Sequence, residues 1–452
     1  MRVTSRTGWS DPAHFVLPHR TIGSKEGAVI FAKGAAHAPA HVHHFSNLGE
    51  WRQGLRAPCL ASSYLTLASA LAMAGALLEP LEQGEGAIFQ LTGKSSTGKT
   101  LALRVAQSAM GSADISGVLT HDVTDRGLEE HLAAANDGLL CIDELARLPG
   151  TRSRRRERIR RLPHILASGI GRARSTTVES DNLDRKTYRL LGLSTGELPL
   201  ESYGEREEGE RVRYPDIPVP PVGDNGIFDR LTVNQNAAAL AARVEKTIRA
   251  HHGVAYEAFI ERLVLDRVGA TAGARKHVEI FLAKAAPDPT SWERRFAMKF
   301  AVVYAAAALA SGWNILPFSP THARKCILRL HRKARIEART AEETRDALLQ
   351  LLSKNAETNR FPLLKKREPF PDDDRAWGFR RKQGETMRLA VIPAKLKAEI
   401  KPERHGAAVL PMLANQGVLI TERKGRFESQ LAIDGMASKR PMFYVFDMSK
   451  LS

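Results

Sequence analysis

The feature that most constrains this chain is a short glycine-bounded segment, Gly93-Lys94-Ser95-Ser96-Thr97-Gly98-Lys99-Thr100. It follows an apolar run, Ala87 to Leu91, and leads into Leu101 to Met110, whose composition favours a helix. The pattern GxxxxGK[ST] is complete, and it lies where a strand passes into a helix. Such a turn aims successive backbone N–H groups inward, and the helix N-terminus adds a positive dipole end. Residues Gly93 to Thr100 are therefore expected to cradle the phosphates of ATP. Lys99 reaches the β- and γ-phosphates and Thr100 offers its hydroxyl to Mg²⁺. Alone, the loop fits kinases, GTPases and transporters equally.

Further along, Leu139-Leu140-Cys141-Ile142 runs into Asp143-Glu144. A buried strand ending in two carboxylates suits a metal-holding Asp143 and a water-polarising Glu144. The plainer reading is a strand running into an acidic helix cap, and the intact phosphate loop upstream favours the first. A third strand, Arg189 to Leu193, ends in Ser194-Thr195-Gly196-Glu197. In additional-strand P-loop ATPases a polar residue at this tip senses the γ-phosphate, so Ser194 and Thr195 are candidates. Arg211 and Arg213 precede Tyr214-Pro215-Asp216. An arginine there can reach a neighbour's nucleotide, although most surface-loop arginines are simply solvated.

The charge balance bears on the partner. Lys and Arg total 67 against 50 acidic residues, a net charge of +17. That favours a polyanion, with nucleic acid ahead of an anionic membrane surface. Three scattered cysteines (Cys59, Cys141, Cys326) give neither a disulfide framework nor a zinc site, in keeping with a reducing cytoplasm. The first residues lack the apolar core of a signal peptide. Leu60 to Leu78 is apolar but carries several hydroxyl residues, so a buried helix is expected there, not a membrane span.

The chain of 452 residues is long enough for two or three domains. A small β-rich segment is expected over 1–48, an ATPase core over 49–230, a helical lid over 231–353, a linker or basic excursion over 354–388, and a winged-helix-like module over 389–452. Within the lid, Arg294 to Ala310 and Thr321 to Leu352 read as strong helices. The histidines His37, His41, His43 and His44 lack a nearby cysteine or carboxylate and read as a solvated loop. Residues 151–161 hold seven arginines and one glutamate. This run fits either a nucleic-acid channel or a solvated insertion. Ala173 to Val178 and Arg185 to Leu193 suit a basic hairpin, making Arg172, Arg174 and Lys186 DNA-contact candidates and setting Arg189 near its arms.

Taken together, these residues resemble the domain-of-unknown-function family 927, found in bacterial mobile elements and phages and related to minichromosome-maintenance-like helicases. The motifs are Ser46 to Trp51, Gly93 to Thr100, Thr124 to Glu129, Asn136-Asp137, Asp143-Glu144, Ala167 to Arg174, Leu193 to Glu197 and Arg213 to Pro218. The resemblance implies an α/β fold of AAA+ type with a helical subdomain and a C-terminal winged helix. It further implies a homo-oligomeric ring, usually a hexamer, around single-stranded or forked DNA. In that setting Ser194 or Thr195 is the sensor and Arg213 acts across the subunit boundary. Arg295, or its neighbour Arg294, is a second-sensor candidate. No primase signature precedes the loop.

Overall fold

The computed structural model describes residues 2–4, 6–24, 29–31, 47–114, 118–147, 150–151, 154, 157–159, 161–162, 165, 169, 187–203, 206–287, 290–365, 368–371, 375–400, 407–421, 423, 426–431, 433 and 441–451. The chain divides into two compact units, Met1–Glu337 and Ala338–Ser452.

The first unit opens with short strands: β1 (Arg2–Thr4), β2 (Gly8–Asp11), β3 (His14–Val16), β4 (Thr21–Gly23) and β5 (Val29–Phe31). Strands β2, β3 and β4 form an antiparallel sheet, and β1 pairs with β5. This region is tied to the core through Asp137, which accepts from Trp9 N at 3.0 Å and Arg189 Nε at 2.7 Å.

The core is a five-stranded parallel sheet: β6 (Ala87–Thr92), β7 (Leu119–Thr120), β8 (Leu139–Asp143), β9 (Leu191–Gly196) and β10 (Asp216–Pro218), in the order β10-β6-β9-β8-β7. Strand β6 is buried along its whole length, as expected of a parallel strand covered on both faces. Phe89 packs edge-to-face on Phe300 with ring centroids 5.0 Å apart. The helix Ser63–Ala74 is buried at every position, capped by Ser62, whose side chain accepts from Leu65 N. No helix among the described residues is long and apolar enough to cross a membrane.

Strand β9 begins later than the sequence suggests and continues through Gly196. Thr195 and Gly196 pair with Leu91 and Thr92, so Ser194 and Thr195 lie inside the strand rather than in a turn. Helices Ala237–Ala250, Ala255–Leu265, Arg267–Ala285, Ser291–Gly312 and Pro320–Ala338 complete the unit. The single long helix expected over Thr321 to Leu352 is broken: Thr340 starts a new helix, Ala341–Asn355, through a capping box with Glu343.

The second unit holds that helix, then β11 (Gly378–Gln383), β12 (Thr386–Val391), helices Pro393–Ile400 and Ala407–Asn415, β13 (Leu419–Ile420), β14 (Ser429–Gln430) and β15 (Met442–Asp447). The strand order is β11-β12-β15-β13, with every pairing antiparallel. The stretch 354–388, read as a linker, thus contributes β11 and the start of β12. Three consecutive charged residues, Arg380, Arg381 and Lys382, leave β11 without an alternating apolar pattern, which hides the strand signal.

Candidate active site

The carboxyl ends of β6, β8 and β9 meet at one edge of the parallel sheet, and the residues following them converge there. Gly93 and Gly98 have φ of +154° and +92°, and Ser96 has φ of +62°, the left-handed turns that fold the loop inward. The helix Lys99–Met110 starts directly at Gly98. Lys99 Nζ donates to the carbonyls of Gly93 at 2.7 Å and Lys94 at 2.8 Å, so the lysine lies back across its own loop. Burial lowers the Lys99 pKa, against the opposing pull of Glu144, Glu197 and Asp143. Thr97 Oγ1 donates to Lys94 O at 3.0 Å. Ser95 has no comparable contact among the described residues.

Asp143 gathers two hydroxyls. Thr100 Oγ1 donates to its Oδ2 at 3.1 Å, and Thr195 Oγ1 donates to its Oδ1. Thr195 Oγ1 also accepts from Glu144 N at 3.0 Å. Glu144 has φ of +61°, rare for a residue with a side chain. Its buried Oε1 has no hydrogen-bond partner among the described residues. An orphaned carboxylate oxygen beside Asp143, a lysine and a left-handed glycine loop is a donor set that fits a magnesium-bound nucleoside triphosphate.

Ser194 faces elsewhere. Its Oγ lies 3.0 Å from His121 Nε2, and Tyr214 OH donates to Gln90 Oε1 at 3.1 Å nearby. Burial, with Arg158 adding to it, pushes His121 down to about 3, so the imidazole is neutral. Of the two sensor candidates, then, Thr195 touches the carboxylate pair and Ser194 belongs to a buried polar cluster behind the sheet.

Arg213 and Arg295 lie away from the loop. Arg213 ends the helix Glu208–Arg213, just ahead of the amino end of β10, and its Nε donates to Glu85 Oε1 at 2.6 Å. Glu85 itself precedes the amino end of β6, so six strand residues, about 20 Å, separate it from the phosphate loop. Arg295 Nη2 donates to Glu208 Oε1 at 2.7 Å, which sets it beside the same helix. Arg294 is exposed one position earlier. Arg211 is buried and its guanidinium stacks over Trp292, 5.4 Å from the ring centroid. Between Arg211 and Arg213, the latter is the one with a partly exposed side chain.

Arg172, Arg174, Lys186 and the histidines from His37 to His44 lie outside the described residues, as does most of the expected basic hairpin. Arg189, placed near its arms by sequence, is paired with buried Asp137. Within the arginine run, Arg158 binds the Val123 carbonyl and lies 3.3 Å from Asp125, and Arg161 pairs with Glu157 at 2.8 Å. Sequence reading missed His121, Glu85, Lys299 and the approach of Gly226 to the loop, where an added Cβ would lie 2.4 Å from Thr97 O. Lys299 alone left a trace, as one cation in the apolar run from Phe296 to Ala310.

Residues 1–181 match the family model Domain of unknown function (DUF927). The matched segment takes in the phosphate loop and the Asp143-Glu144 strand, and ends before β9. Among solved structures, one described as "SCCmec type IV Cch - active helicase" aligns with a TM-score of 0.58 at 16% identity, covering 99% of this chain and 80% of that one. At that identity the likeness is one of fold: a mixed α/β architecture with a parallel five-stranded sheet and helices. No protein among those curated matches the chain.

Proposed function

We propose that this chain is an ATP-hydrolysing motor of the AAA+ type acting on DNA, a translocase or helicase of a mobile element or phage. The observation that carries this reading is Asp143, which takes hydroxyls from both Thr100 and Thr195 beside Lys99. The sheet order supports it too, since β9 is inserted between the loop strand β6 and the carboxylate strand β8. That insertion defines the additional-strand class.

Bound Mg²⁺·ATP supplies the reacting phosphoryl group and part of the charge neutralisation it needs. The chain's own residues do the rest. Backbone N–H groups from Lys94 to Thr100 would hold phosphate oxygens, and Lys99 Nζ, which donates to the Gly93 and Lys94 carbonyls, would neutralise their charge. Thr100 and Asp143 would hold the metal. Glu144, its backbone N anchored to Thr195, orients the attacking water and takes its proton. Arg213 is too far from its own loop to serve it, which supports a site completed by a second copy, as in a ring and by expectation a hexamer. Arg295 beside it would work on the same foreign nucleotide.

In the second unit, strand β12 precedes two helices, and β15 lies between β12 and β13. This order supports a winged helix with Ala407–Asn415 as its second inner helix. It also favours a second reading, a nucleotide-gated initiator that recognises one duplex site without processive work. ATP turnover with and without single-stranded DNA, alongside unwinding of a forked duplex, tests the motor. Hydrolysis indifferent to DNA with no unwinding overturns it. A footprint on one duplex sequence with negligible strand displacement selects the initiator.

A further inference from the structure

Arg213 is held in an unusual way for a surface arginine. Its Nε–H is given to Glu85 Oε1 at 2.6 Å, while its two terminal nitrogens make no hydrogen bond among the described residues. The fork that recognises phosphate bidentately is therefore left available, and the side chain is fixed by its neck. Glu85 is itself anchored. Lys299 Nζ, on the helix Ser291–Gly312, donates to the Glu85 backbone carbonyl at 2.8 Å and to its Oε2 at 3.2 Å. The next residue, Gly86, is pressed against the chain entering β9, where a Cβ would come 2.0 Å from Leu190 O. Room for the guanidinium comes from Gly209, one turn earlier in the arginine's own helix, where a Cβ would meet Nη1 at 2.9 Å.

From this we infer that Glu85 is a positioning residue that aims Arg213 at a neighbouring subunit's nucleotide. The inference rests on the shared-site reading above. A carboxylate that merely stored the arginine would be expected to take its terminal nitrogens in a two-pronged pair. Here one oxygen takes the neck nitrogen and the other faces Lys299, which leaves the working end free.

The test mixes two inactive full-length chains. Arg213→Ala subunits keep a competent hydrolytic centre but donate no arginine; Glu144→Gln subunits donate the arginine but cannot turn over. If the site is shared, the mixture hydrolyses ATP although neither parent does. Adding Glu85→Ala to the donating chain should then lower kcat about tenfold, since small displacements of a transition-state group are costly, with KM for ATP unchanged. The same substitution on the Arg213→Ala chain should change nothing, and it doubles as the control for folding. Glu85→Gln on the donating chain should recover most of the loss, because its amide oxygen still accepts from Nε. Equal losses from both placements, or none from the donating one, overturn the role of Glu85 while leaving the shared site standing. A mixture no more active than its parents overturns the shared site and this inference with it.

Discussion

Arg213 donates to Glu85 at the end of the central sheet opposite the one where Lys99 begins its helix. On the proposed reading the two cations serve different steps, and their removal should separate. Lys99→Ala should abolish nucleotide binding. Arg213→Ala should bind ATP as the parent does, yet turn over roughly a thousandfold more slowly, the scale of a lost arginine finger. Calorimetric titration with a non-hydrolysable ATP analogue and steady-state hydrolysis check the pair; weakened binding by Arg213→Ala would count against the assignment.

The neighbours Ser194 and Thr195 should behave as opposites. Thr195→Val removes the hydroxyl that bridges Asp143 and the Glu144 backbone. Turnover should fall on the order of a hundredfold through the misplaced general base, with folding intact. Ser194→Ala strands a buried imidazole nitrogen of His121 instead. It should cost about 1–3 kcal/mol of stability and leave hydrolysis close to normal. Denaturant unfolding and an ATPase assay on both variants decide the matter.

Gly226 is a third probe. It has φ of +57°, follows left-handed Asn225, and has no room for a Cβ beside Thr97 O. The next residue's N–H donates to that same carbonyl at 3.0 Å. Gly226→Ala should push on the phosphate loop from behind and weaken ATP binding about tenfold, the effect of roughly 1.4 kcal/mol. An unaltered Kd would mean the loop absorbs the displacement.

Two buried histidines predict an acid limit. Burial pushes His121 and His331 down to about 3, from an ordinary value of 6.5. Both are neutral in the fold, so the unfolded chain takes up protons first as pH drops. Their contribution is complete above pH 6.5 and declines as pH falls from there towards 3. The loss is at most about 1.4 kcal/mol per pH unit for each. His331 sits among Phe281, Phe296 and Phe300, with centroids 6.0, 5.7 and 5.2 Å away. His331→Leu should therefore flatten the fall of the thermal midpoint between pH 6.5 and 5; an identical slope would exclude this residue as a source.

How much of this was legible beforehand follows from the range of each interaction. Gly93 to Thr100 and Asp143-Glu144 are local: apolar strands running into residues whose chemistry depends on their immediate neighbours. The orientation of Ser194 against Thr195 depends on which side of β9 each faces, and the strand's true extent is set by pairing with β6. Glu85 and Lys299 are 214 positions apart, and no pattern in either segment announces their contact. The hairpin β11–β12 escaped for a different reason. A strand carrying three charged residues in a row, Arg380 to Lys382, looks by composition like a linker.

The distance between Glu144 and Arg213 also has an arithmetic consequence. If each competent centre needs one chain's Glu144 and another's Arg213, an isolated chain has none, and an open row of chains has one fewer than its members. Only closure brings the two numbers level. Hydrolysis per chain should then climb with protein concentration and level off on completion of a circle, making specific activity a gauge of assembly.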